Sequence, residues 1–338
     1  MKATATATST AAATTTSTRP PTPVPAQAVG SPSLVIVGSV ALDTVDGPSG
    51  NHPGLLGGSA SYGTMAASFL LSRGVELVAV VGDDFPREHV DLLESHGIGL
   101  TGLEQVSGRT FRWAGRYSDD LNHRTTLETE LGVFAGFRPR IADHARDAQF
   151  LFLGNIDPEL QLEVLAQLRC PRLVACDTMN FWISGKPREL GQVLAKVHVL
   201  LVNDEEARQL SGISSLVKAA AEIRRMGPRC VIVKRGDAGA LMFHEGETFV
   251  APAYPVDGVR DPTGAGDTFA GAFMGYLARL GDTSPASIRR AMVCGSVLAS
   301  FCVEDFSLDR MHRLTAEEFG ARLDSFYALT HCERIRLG

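Results

Sequence analysis

Short apolar runs alternate along most of the chain with segments whose apolar residues recur every three to four positions. Runs of Val, Ile and Leu predict buried strands, and the 3.6-residue period predicts helices with one apolar face. The predicted strands are 34–40, 77–81, 150–153, 173–176, 197–202 and 231–234. The predicted helices are 61–71, 88–96, 159–168, 188–196, 205–210 and 216–226. This alternation is typical of an α/β protein with a mostly parallel central sheet and crossover helices.

The pattern changes after Lys234, where two apolar segments follow each other with only a short turn between them. Residues 240–244 and 248–251 flank the turn at 245–247, whose central residue is Gly246. A glycine-containing turn between two such segments predicts a β-hairpin. We therefore expect antiparallel strands at one edge of the sheet.

The segment 110–117 differs from the buried strands because its residues alternate between two chemical types. Its aromatic residues, Phe111, Trp113 and Tyr117, share one face of a predicted strand. Arg112 and Arg116 share the other face. Together with the Gly- and Pro-rich segment 46–58, this strand predicts a small sheet lying over the main one as a candidate lid.

Residues 1–33 consist almost entirely of Ala, Thr, Ser and Pro, with Lys2 and Arg19 as their only charged side chains. A segment of this composition cannot bury enough apolar surface to fold, so we predict a disordered tail. A transit peptide is the alternative for this acid-free segment, but it contains few arginines and has no amphipathic period.

The composition as a whole is that of a globular protein, with 338 residues, 44% of them hydrophobic, and a net charge of -6. Nucleic acid is not an expected partner because no basic patch is present, and no apolar run approaches the roughly 18 residues of a membrane span. The six cysteines are scattered without a Cys-x-x-Cys pair, which favours reduced thiols and a cytoplasmic location. The histidines form no transition-metal motif.

One loop carries a pattern suited to chemistry, the sequence Asp-Pro-Thr-Gly-Ala-Gly-Asp at 261–267, which precedes a helical apolar pattern. Gly264 and Gly266 have no Cβ to block a ligand, and the amides and dipole at a helix start favour a bound anion. Asp267 would lie beside that anion, where it could deprotonate a hydroxyl group. The alternative is an ordinary loop with Asp267 as a solvated residue at the helix start.

Three further motifs accompany the loop 261–267, namely the di-glycine at 57–58, Asn-Asp-Glu-Glu at 203–206 and Lys-Arg-Gly-Asp-Ala-Gly at 234–239. The four motifs together resemble those of the PfkB family of carbohydrate and nucleoside kinases, which has the ribokinase-like fold. The resemblance covers about residues 34–330. It implies a three-layer α/β sandwich with a small β-sheet lid from about 44–58 and 108–130, followed by a C-terminal tail at 331–338.

The resemblance also implies an activity, the ATP- and Mg²⁺-dependent transfer of a γ-phosphoryl group to an alcohol of a sugar or nucleoside. Asp267 matches the general base, and the backbone amides of Gly264, Ala265 and Gly266 match the anion hole. Residues implied to bind the nucleotide are Thr263, Lys234, Gly236, Gly239, Asn203 and Glu206. The alternative for the two glycines of the 234–239 motif is a tight turn that needs glycine only for its backbone angles.

A magnesium site is implied at Glu206 and Asn203, since oxygen ligands suit this cation. Asp204 and Glu205 are alternatives for that role, and Glu206 could instead be an ordinary acid at a helix start. Potassium is a further candidate cofactor, with backbone carbonyls near Asp257 and in the segment 294–306 as its ligands.

On the acceptor side, the resemblance implies that Asp43 binds substrate hydroxyls and that Gly57 and Gly58 let the substrate approach the backbone. Tyr62 stands where many sugar kinases of the family have asparagine, and a phenol cannot reproduce the paired donor and acceptor of a carboxamide. The sequence 177–180, Asp-Thr-Met-Asn, resembles an Asp-x-Asn element near the phosphates with one residue more.

The two-faced strand frames the choice of acceptor. If Phe111, Trp113 and Tyr117 face the cleft, they suit stacking on a sugar ring or nucleobase, and we prefer such a neutral acceptor. If Arg112 and Arg116 face it, a sugar acid or sugar phosphate is favoured. The lid sheet is also a candidate homodimer interface. A non-catalytic ligand-binding protein is the alternative from another class, although the base and the loop glycines are present.

Overall fold

The computed structural model of the protein describes residues 32–121 and 123–333. Most of the predicted N-terminal tail, residues 1–31, and the end of the predicted C-terminal tail, residues 334–338, lie outside the described residues. Within the described part, no helix is long and apolar enough to cross a membrane.

Strands form two separate sheets. The strands of the main sheet are β1 (Leu34–Val37), β4 (Val75–Gly82), β5 (Ile98–Val106), β8 (Phe150–Leu153), β9 (Leu173–Asp177), β10 (Val199–Asn203), β11 (Cys230–Lys234), β12 (Ala240–His244) and β13 (Glu247–Ala251). Those of the small sheet are β2 (Ala41–Gly47), β3 (Gly50–Gly57), β6 (Phe111–Tyr117) and β7 (Arg124–Glu130).

The helices are α1 (Ser59–Leu71), α2 (Arg87–Ser95), α3 (Pro158–Leu165), α4 (Asn180–Gly185), α5 (Pro187–Leu194), α6 (Asp204–Ser211), α7 (Leu216–Arg225), α8 (Ala265–Leu280), α9 (Pro285–Cys302), α10 (Asp309–His312) and α11 (Ala316–Thr330). Short 3-10 turns cover Gly132–Gly136, Asp143–Ala145 and Gly236–Ala238.

The main sheet has nine strands in the order β13-β12-β11-β10-β9-β8-β1-β4-β5. Its strands pair in parallel from β11 to β5, and the hairpin β12–β13 adds the two antiparallel strands at one edge. The expected α/β class, the mostly parallel sheet and the antiparallel edge are therefore confirmed.

Helices cover both faces of the main sheet, because its buried strands are apolar on both sides. On β1, Leu34 and Ile36 point into one core with α1, α8 and α9, while Val35 and Val37 point into a second core with α3, α5 and α7. This gives the predicted three layers. Large side chains such as Phe273 of α8 are fully buried, and each such burial contributes about 1.5–3 kcal/mol.

The small sheet has the order β3-β2-β6-β7, with β2 and β6 parallel and the other pairs antiparallel. One difference from expectation lies where this sheet begins. The apolar run 34–40 is not one strand, because β1 ends at Val37 and the chain turns at 38–40 into β2 of the other sheet. We refer to this four-stranded sheet as the lid sheet.

Helices α1 and α8 run side by side in the same direction at very short separation. A Cβ on Gly271 would overlap the backbone of Gly63, and a Cβ on Gly275 would meet the Cα of Ala67 at 2.8 Å. Small residues in both helices are thus required for this contact. It places the start of α8 next to the start of α1, which is where the motifs at 57–58 and 261–267 lie.

Candidate active site

The carboxyl ends of the parallel strands β9, β10 and β11 bring three polar residues to one edge of the main sheet, the usual position of a ligand site in such folds. These residues are Asp177, Asn203 and Lys234, each the last residue of its strand. Asn203 and Lys234 are paired in the sheet register. The helix α8 begins opposite this edge.

The loop 261–267 has the conformation that an anion site needs. Gly264 has φ 74°, which is the left-handed region, and it immediately precedes α8. A Cβ on Gly264 would overlap the ring of Tyr62. Asp261 fixes the loop, because its Oδ1 accepts a hydrogen bond from the amide of Thr263 at 2.9 Å. The Ala265 amide donates a hydrogen bond to the Pro262 carbonyl at 3.3 Å, and the remaining amides at the start of α8 are those that lack intrahelical acceptors and can bind an anion.

Asp267 lies in the first turn of α8 and its acid strength is altered. Burial, together with the negative charge of Asp177, raises the pKa of Asp267 to about 7. The positive charges of Lys234 and Arg124 act in the opposite direction. A carboxyl group with a pKa close to neutrality is well matched to general-base catalysis, because it ionises at the working pH and still binds a proton usefully.

Lys234 connects the sheet edge with the glycine loop. Its ammonium donates a hydrogen bond to Asp177 Oδ2 at 2.7 Å. The same Nζ lies 3.1 Å from the position that a Cβ on Gly266 would occupy. Burial alone would lower the pKa of Lys234, but the neighbouring carboxylates outweigh it and raise that pKa, so the side chain is a cation.

Asn203 and Glu206 form a reciprocal capping box at the start of α6. The Asn203 amide donates to Glu206 Oε2 at 2.8 Å, and the Glu206 amide donates to Asn203 Oδ1 at 2.7 Å. Burial and the charge of Asp177 raise the pKa of Glu206 to about 7. The helix-start role considered for Glu206 is thus present, and it occupies the Asn203 oxygen and one oxygen of Glu206.

The turn at 234–239 needs its glycines for backbone reasons. Gly236 and Gly239 have φ of 54° and 79°, and a Cβ on Gly239 would overlap the carbonyl oxygen of Ala251. The Arg235 amide donates to the Gly239 carbonyl at 2.7 Å, which closes the turn. Gly236 has open space beside it, so a ligand could approach the backbone there.

Asp43, the residue expected to bind substrate hydroxyls, is a buried carboxylate with 5% of its surface exposed. Its Oδ1 has no hydrogen-bond partner among the described residues, and a buried oxygen in that state is expected to receive a donor from a ligand. Burial, followed by the charges of Asp261 and Asp267, raises the pKa of Asp43 to about 7. The negative charge of Asp267 is thus one of those that act on Asp43.

The two glycines beside Asp43 are sterically required. A Cβ on Gly57 would overlap the Asp43 carboxylate, and a Cβ on Gly58 would overlap the carbonyl of Ser39. Tyr62 lies one turn into α1 and is 3% exposed, beneath Gly264. The structure thus brings Asp43, Gly57 and Gly58 together at the cleft and places Tyr62 under the glycine loop.

The lid sheet turns its aromatic face toward the glycine loop. The Tyr117 hydroxyl lies 2.9 Å from Thr263 Oγ1, and Trp113 packs in a small apolar cluster with Tyr117 and Phe306. Phe111 lies farther along the strand and stacks on Phe134 with ring centroids 5.5 Å apart. Of the three aromatic residues expected near the substrate, Tyr117 contacts the loop and Trp113 packs beside it.

The two arginines on the other side of β6 are engaged with acids. Arg112 donates to Asp84 and Arg116 to Asp46, both at 2.6 Å. Arg124 on β7 is a basic residue that the sequence reasoning missed, and its charge acts on Asp43, Glu206 and Asp267. Its strand is polar on both faces and exposed, so no periodic pattern marks it.

A cation that neutralises phosphate charge has suitable oxygen donors here. Asp177 and Glu206 are neighbouring carboxylates, and Glu206 keeps one oxygen outside its capping box. Among residues 32–121 and 123–333, no three His, Cys, Asp or Glu side chains are arranged to hold a metal by themselves. These oxygen donors fit a hydrated Mg²⁺ whose other ligands would include nucleotide phosphate oxygens.

The protein combines three features: a three-layer α/β fold, a glycine loop at a helix start with an adjacent carboxylate, and a small separate sheet. This combination defines a ribokinase-like small-molecule kinase. The chain belongs to the pfkB carbohydrate kinase family, whose sequence profile matches residues 56–310. It is accordingly a carbohydrate or nucleoside kinase, an ATP-using transferase.

Among its relatives is the cytidine kinase of Thermococcus kodakarensis, which is 29% identical over 250 residues, covering 73% of this chain and 88% of the relative. A solved nucleoside kinase from Burkholderia thailandensis in complex with inosine superposes with a TM-score of 0.72 at 19% identity, covering 87% of this chain and 99% of that one. An Arabidopsis thaliana ribokinase complexed with ribose and ATP gives a TM-score of 0.69 at 21% identity, with 87% and 99% covered.

Proposed function

We propose that the protein transfers the γ-phosphoryl group of ATP to a hydroxyl of a neutral nucleoside or sugar, with the nucleoside as the first choice. The observation that carries this proposal is the position of Asp267, a carboxylate in the first turn of α8 beside the Gly264 and Gly266 amides. A base and an anion site are thereby adjacent.

In the proposed reaction, Asp267 takes the proton of the acceptor hydroxyl as its oxygen attacks the γ-phosphorus. The amides of Gly264, Ala265 and Gly266 stabilise the charge on the transferring group. Asp43 orients the acceptor through its buried oxygen. Lys234 and the turn with Gly236 and Gly239 hold the outer phosphates, with Asn203 and Thr263 beside them.

Magnesium would be held by Glu206 together with Asp177, and it neutralises phosphate charge when bound. Potassium would be held near Asp261, since its buried Oδ2 has no hydrogen-bond partner among the described residues. The Val303 carbonyl lies close to Asp261, because it accepts a hydrogen bond from the amide of the preceding residue, Arg260, at 2.8 Å. Comparing initial rates in K⁺ and Na⁺ buffers tests the second assignment.

A neutral acceptor is favoured because the lid turns Trp113 and Tyr117 toward the loop, whereas Arg112 and Arg116 are neutralised by acids. The cytidine kinase relative supports a nucleoside. Relatives named 2-dehydro-3-deoxygluconokinase and ribose-1-phosphate kinase support the alternative of an anionic acceptor. A non-catalytic role is disfavoured because the proposed base and anion-site glycines are retained.

Two copies are proposed to associate through their lid sheets. Strand β7 is an edge strand of the lid sheet, and Leu127 on it is 50% exposed. Light scattering coupled to size exclusion, on the protein and on Leu127→Glu, tests this. A monomeric wild-type protein at micromolar concentration would refute it.

The acceptor is tested by measuring ADP release with Mg-ATP and a panel of cytidine, adenosine, inosine, ribose, fructose and 2-keto-3-deoxygluconate. The expected result is turnover of at least one nucleoside, with one phosphoryl group added in the product mass spectrum. Turnover of the sugar acid alone would overturn the preference for a neutral acceptor. No ADP release with any compound would count against the kinase assignment.

A further inference from the structure

Arg124 occupies a particular position on the lid sheet. It is the first residue of β7 and pairs with Tyr117 in the register of β6 and β7. Its guanidinium carbon lies 5.2 Å from the centroid of the Trp113 ring, within the range of a cation–π contact. Arg124 is thus held on the aromatic face of the lid, the face turned toward the glycine loop.

The charge of Arg124 is not neutralised by a nearby acid. Across the described residues no carboxylate lies within ion-pair distance of it, whereas the lid arginines Arg109, Arg112 and Arg116 each pair with one. An arginine kept unpaired beside several carboxylates is well suited to an anion that arrives with the substrates.

The positive charge of Arg124 affects carboxyl groups on both the acceptor side and the nucleotide side of the proposed site. Burial raises the pKa of Asp43, Glu206 and Asp267, and in all three cases the positive charge of Arg124 opposes that rise. Asp43 lies on the acceptor side, Glu206 on the nucleotide side and Asp267 between them. The positive charge of Arg124 therefore acts on carboxyl groups on both sides of the proposed transfer path.

Arg124 is connected to the glycine loop through Tyr117. The two residues are cross-strand partners in β6 and β7, and the Tyr117 hydroxyl lies 2.9 Å from Thr263 Oγ1. The strand pair that carries the guanidinium is therefore the one that contacts the loop. Lid closure and the delivery of a positive charge are coupled by this arrangement.

We infer that Arg124 binds the phosphoryl group during its transfer and so makes the lid sheet part of the catalytic apparatus. This inference rests on the proposed function. In the step itself, the bond between the γ-phosphorus and the bridging oxygen of ATP breaks and a bond to the acceptor oxygen forms. The acceptor proton passes to Asp267, and ADP leaves. Arg124 neutralises charge on the non-bridging oxygens throughout.

A different role for the same cation would be recognition of an anionic acceptor. The two roles separate kinetically, since a contact made mainly in the transition state affects kcat, whereas a contact with the acceptor affects its KM. A purely mechanical role, holding Tyr117 in place, would be reproduced by removing the Tyr117 hydroxyl alone.

The experiment compares Arg124→Gln, Arg124→Lys and Tyr117→Phe with the matched control Arg116→Gln, using the best acceptor of the wild-type protein. Arg116 lies on β6 of the same lid sheet, and it forms an ion pair with Asp46 on the face of the sheet directed away from the loop. We expect Arg124→Gln to lower kcat by about 10²- to 10³-fold, as for the loss of one anion-stabilising donor, with the acceptor KM changed by less than about threefold. Arg124→Lys should recover part of the rate, and Arg116→Gln should behave as wild type.

Added guanidinium ion at millimolar concentration should partly restore the kcat of Arg124→Ala, a response that a misplaced lid would not give. A raised acceptor KM with kcat retained, or an Arg124→Gln rate equal to that of Arg116→Gln, would overturn the inference while leaving the kinase activity standing. A Tyr117→Phe rate as low as that of Arg124→Gln would also overturn it in favour of the mechanical role. An inactive wild-type protein would refute the proposed function and this inference together.

Discussion

Lys234 and Asp177 form an ion pair of 2.7 Å between the ends of two strands that are separated in the sheet by β10. Their side chains are 18% and 6% exposed, so the pair is largely shielded from water. Breaking such a pair leaves an uncompensated buried charge, which is costly. The pair also holds the Lys234 ammonium beside Gly266, and thus fixes a cation at the start of α8.

Replacing Asp267 by asparagine should lower kcat by about 10²- to 10⁴-fold, because the acceptor hydroxyl loses its base. ATP binding should persist, since the loop amides and Lys234 are unchanged. Steady-state rates and calorimetric titration with a non-hydrolysable ATP analogue measure the two effects. Near-normal turnover of the variant would remove Asp267 from the mechanism.

The rate should depend on pH through the ionisation of Asp267. Its pKa is raised to about 7, and only the ionised form accepts a proton, so kcat/KM should rise between about pH 6 and pH 8 and then level off. A profile of kcat/KM at constant ionic strength checks this. A flat profile across that interval would contradict the assignment.

The stability of the ligand-free protein should show the opposite trend. Burial raises the pKa values of Asp43 and Asp267 from 3.8, and of Glu206 from 4.5, to about 7 in each case. The folded state therefore binds more protons than the unfolded state between about pH 4 and pH 7, and the free energy of unfolding falls as pH rises through this window. Asp267→Asn should weaken the trend and raise the Tm at pH 8 by a few degrees. Differential scanning fluorimetry from pH 5 to pH 8 measures both, and an unchanged Tm for the variant at pH 8 would count against the raised pKa.

Gly57→Ala should impair acceptor binding, because the new Cβ overlaps the Asp43 carboxylate and must displace it. We expect the acceptor KM to rise by roughly tenfold or more, while the KM for ATP stays close to that of the wild type. Gly191→Ala is the matched control, since a Cβ there meets nothing within 4 Å. Equal acceptor KM values for the two variants would show that Asp43 does not contact the acceptor.

Lys234→Met should raise the KM for ATP and also shift the pH profile. Lys234 is one of the cations that lower the pKa of Asp267 against burial and Asp177. Its removal should move the midpoint of the kcat/KM profile to higher pH by about one unit. Lys218→Met, at an exposed position on α7, serves as the control. A midpoint that does not move would place Lys234 outside the electrostatics of the base.

Sequence analysis predicted the buried strands of the main sheet because apolar runs such as 150–153 and 231–234 are too short for helices and alternate with helical segments. It failed at β5 and β7 for different reasons. Strand β5 contains Gly99 and Gly102 and lies at the sheet edge, and β7 is a polar strand exposed to solvent. Neither carries the alternation from which a strand is recognised.

The glycine loop and the polar residues at strand ends could be predicted from the sequence because each directly follows a predicted strand or precedes a predicted helix. The pairing of Lys234 with Asp177 was not, since the two residues are 57 positions apart and meet only through the sheet order. The position of Tyr62 beneath Gly264 likewise depends on how α1 packs against α8. Arg124 could not be recognised because its proposed role depends on contacts with aromatic residues of the neighbouring strand.

The tight contact between α1 and α8 has a consequence for how the protein can change its substrate. Asp43 lies against Gly57 just before α1, and Asp267 lies in the first turn of α8. The spacing between the proposed acceptor ligand and the proposed base is therefore set by two helices that are in close contact through small residues. Asp43 and Gly57 lie on β2 and β3 of the lid sheet, whereas the strands β6 and β7 lie outside the contact between the two helices. Side chains on β6 and β7 can therefore be exchanged without altering the spacing between Asp43 and Asp267.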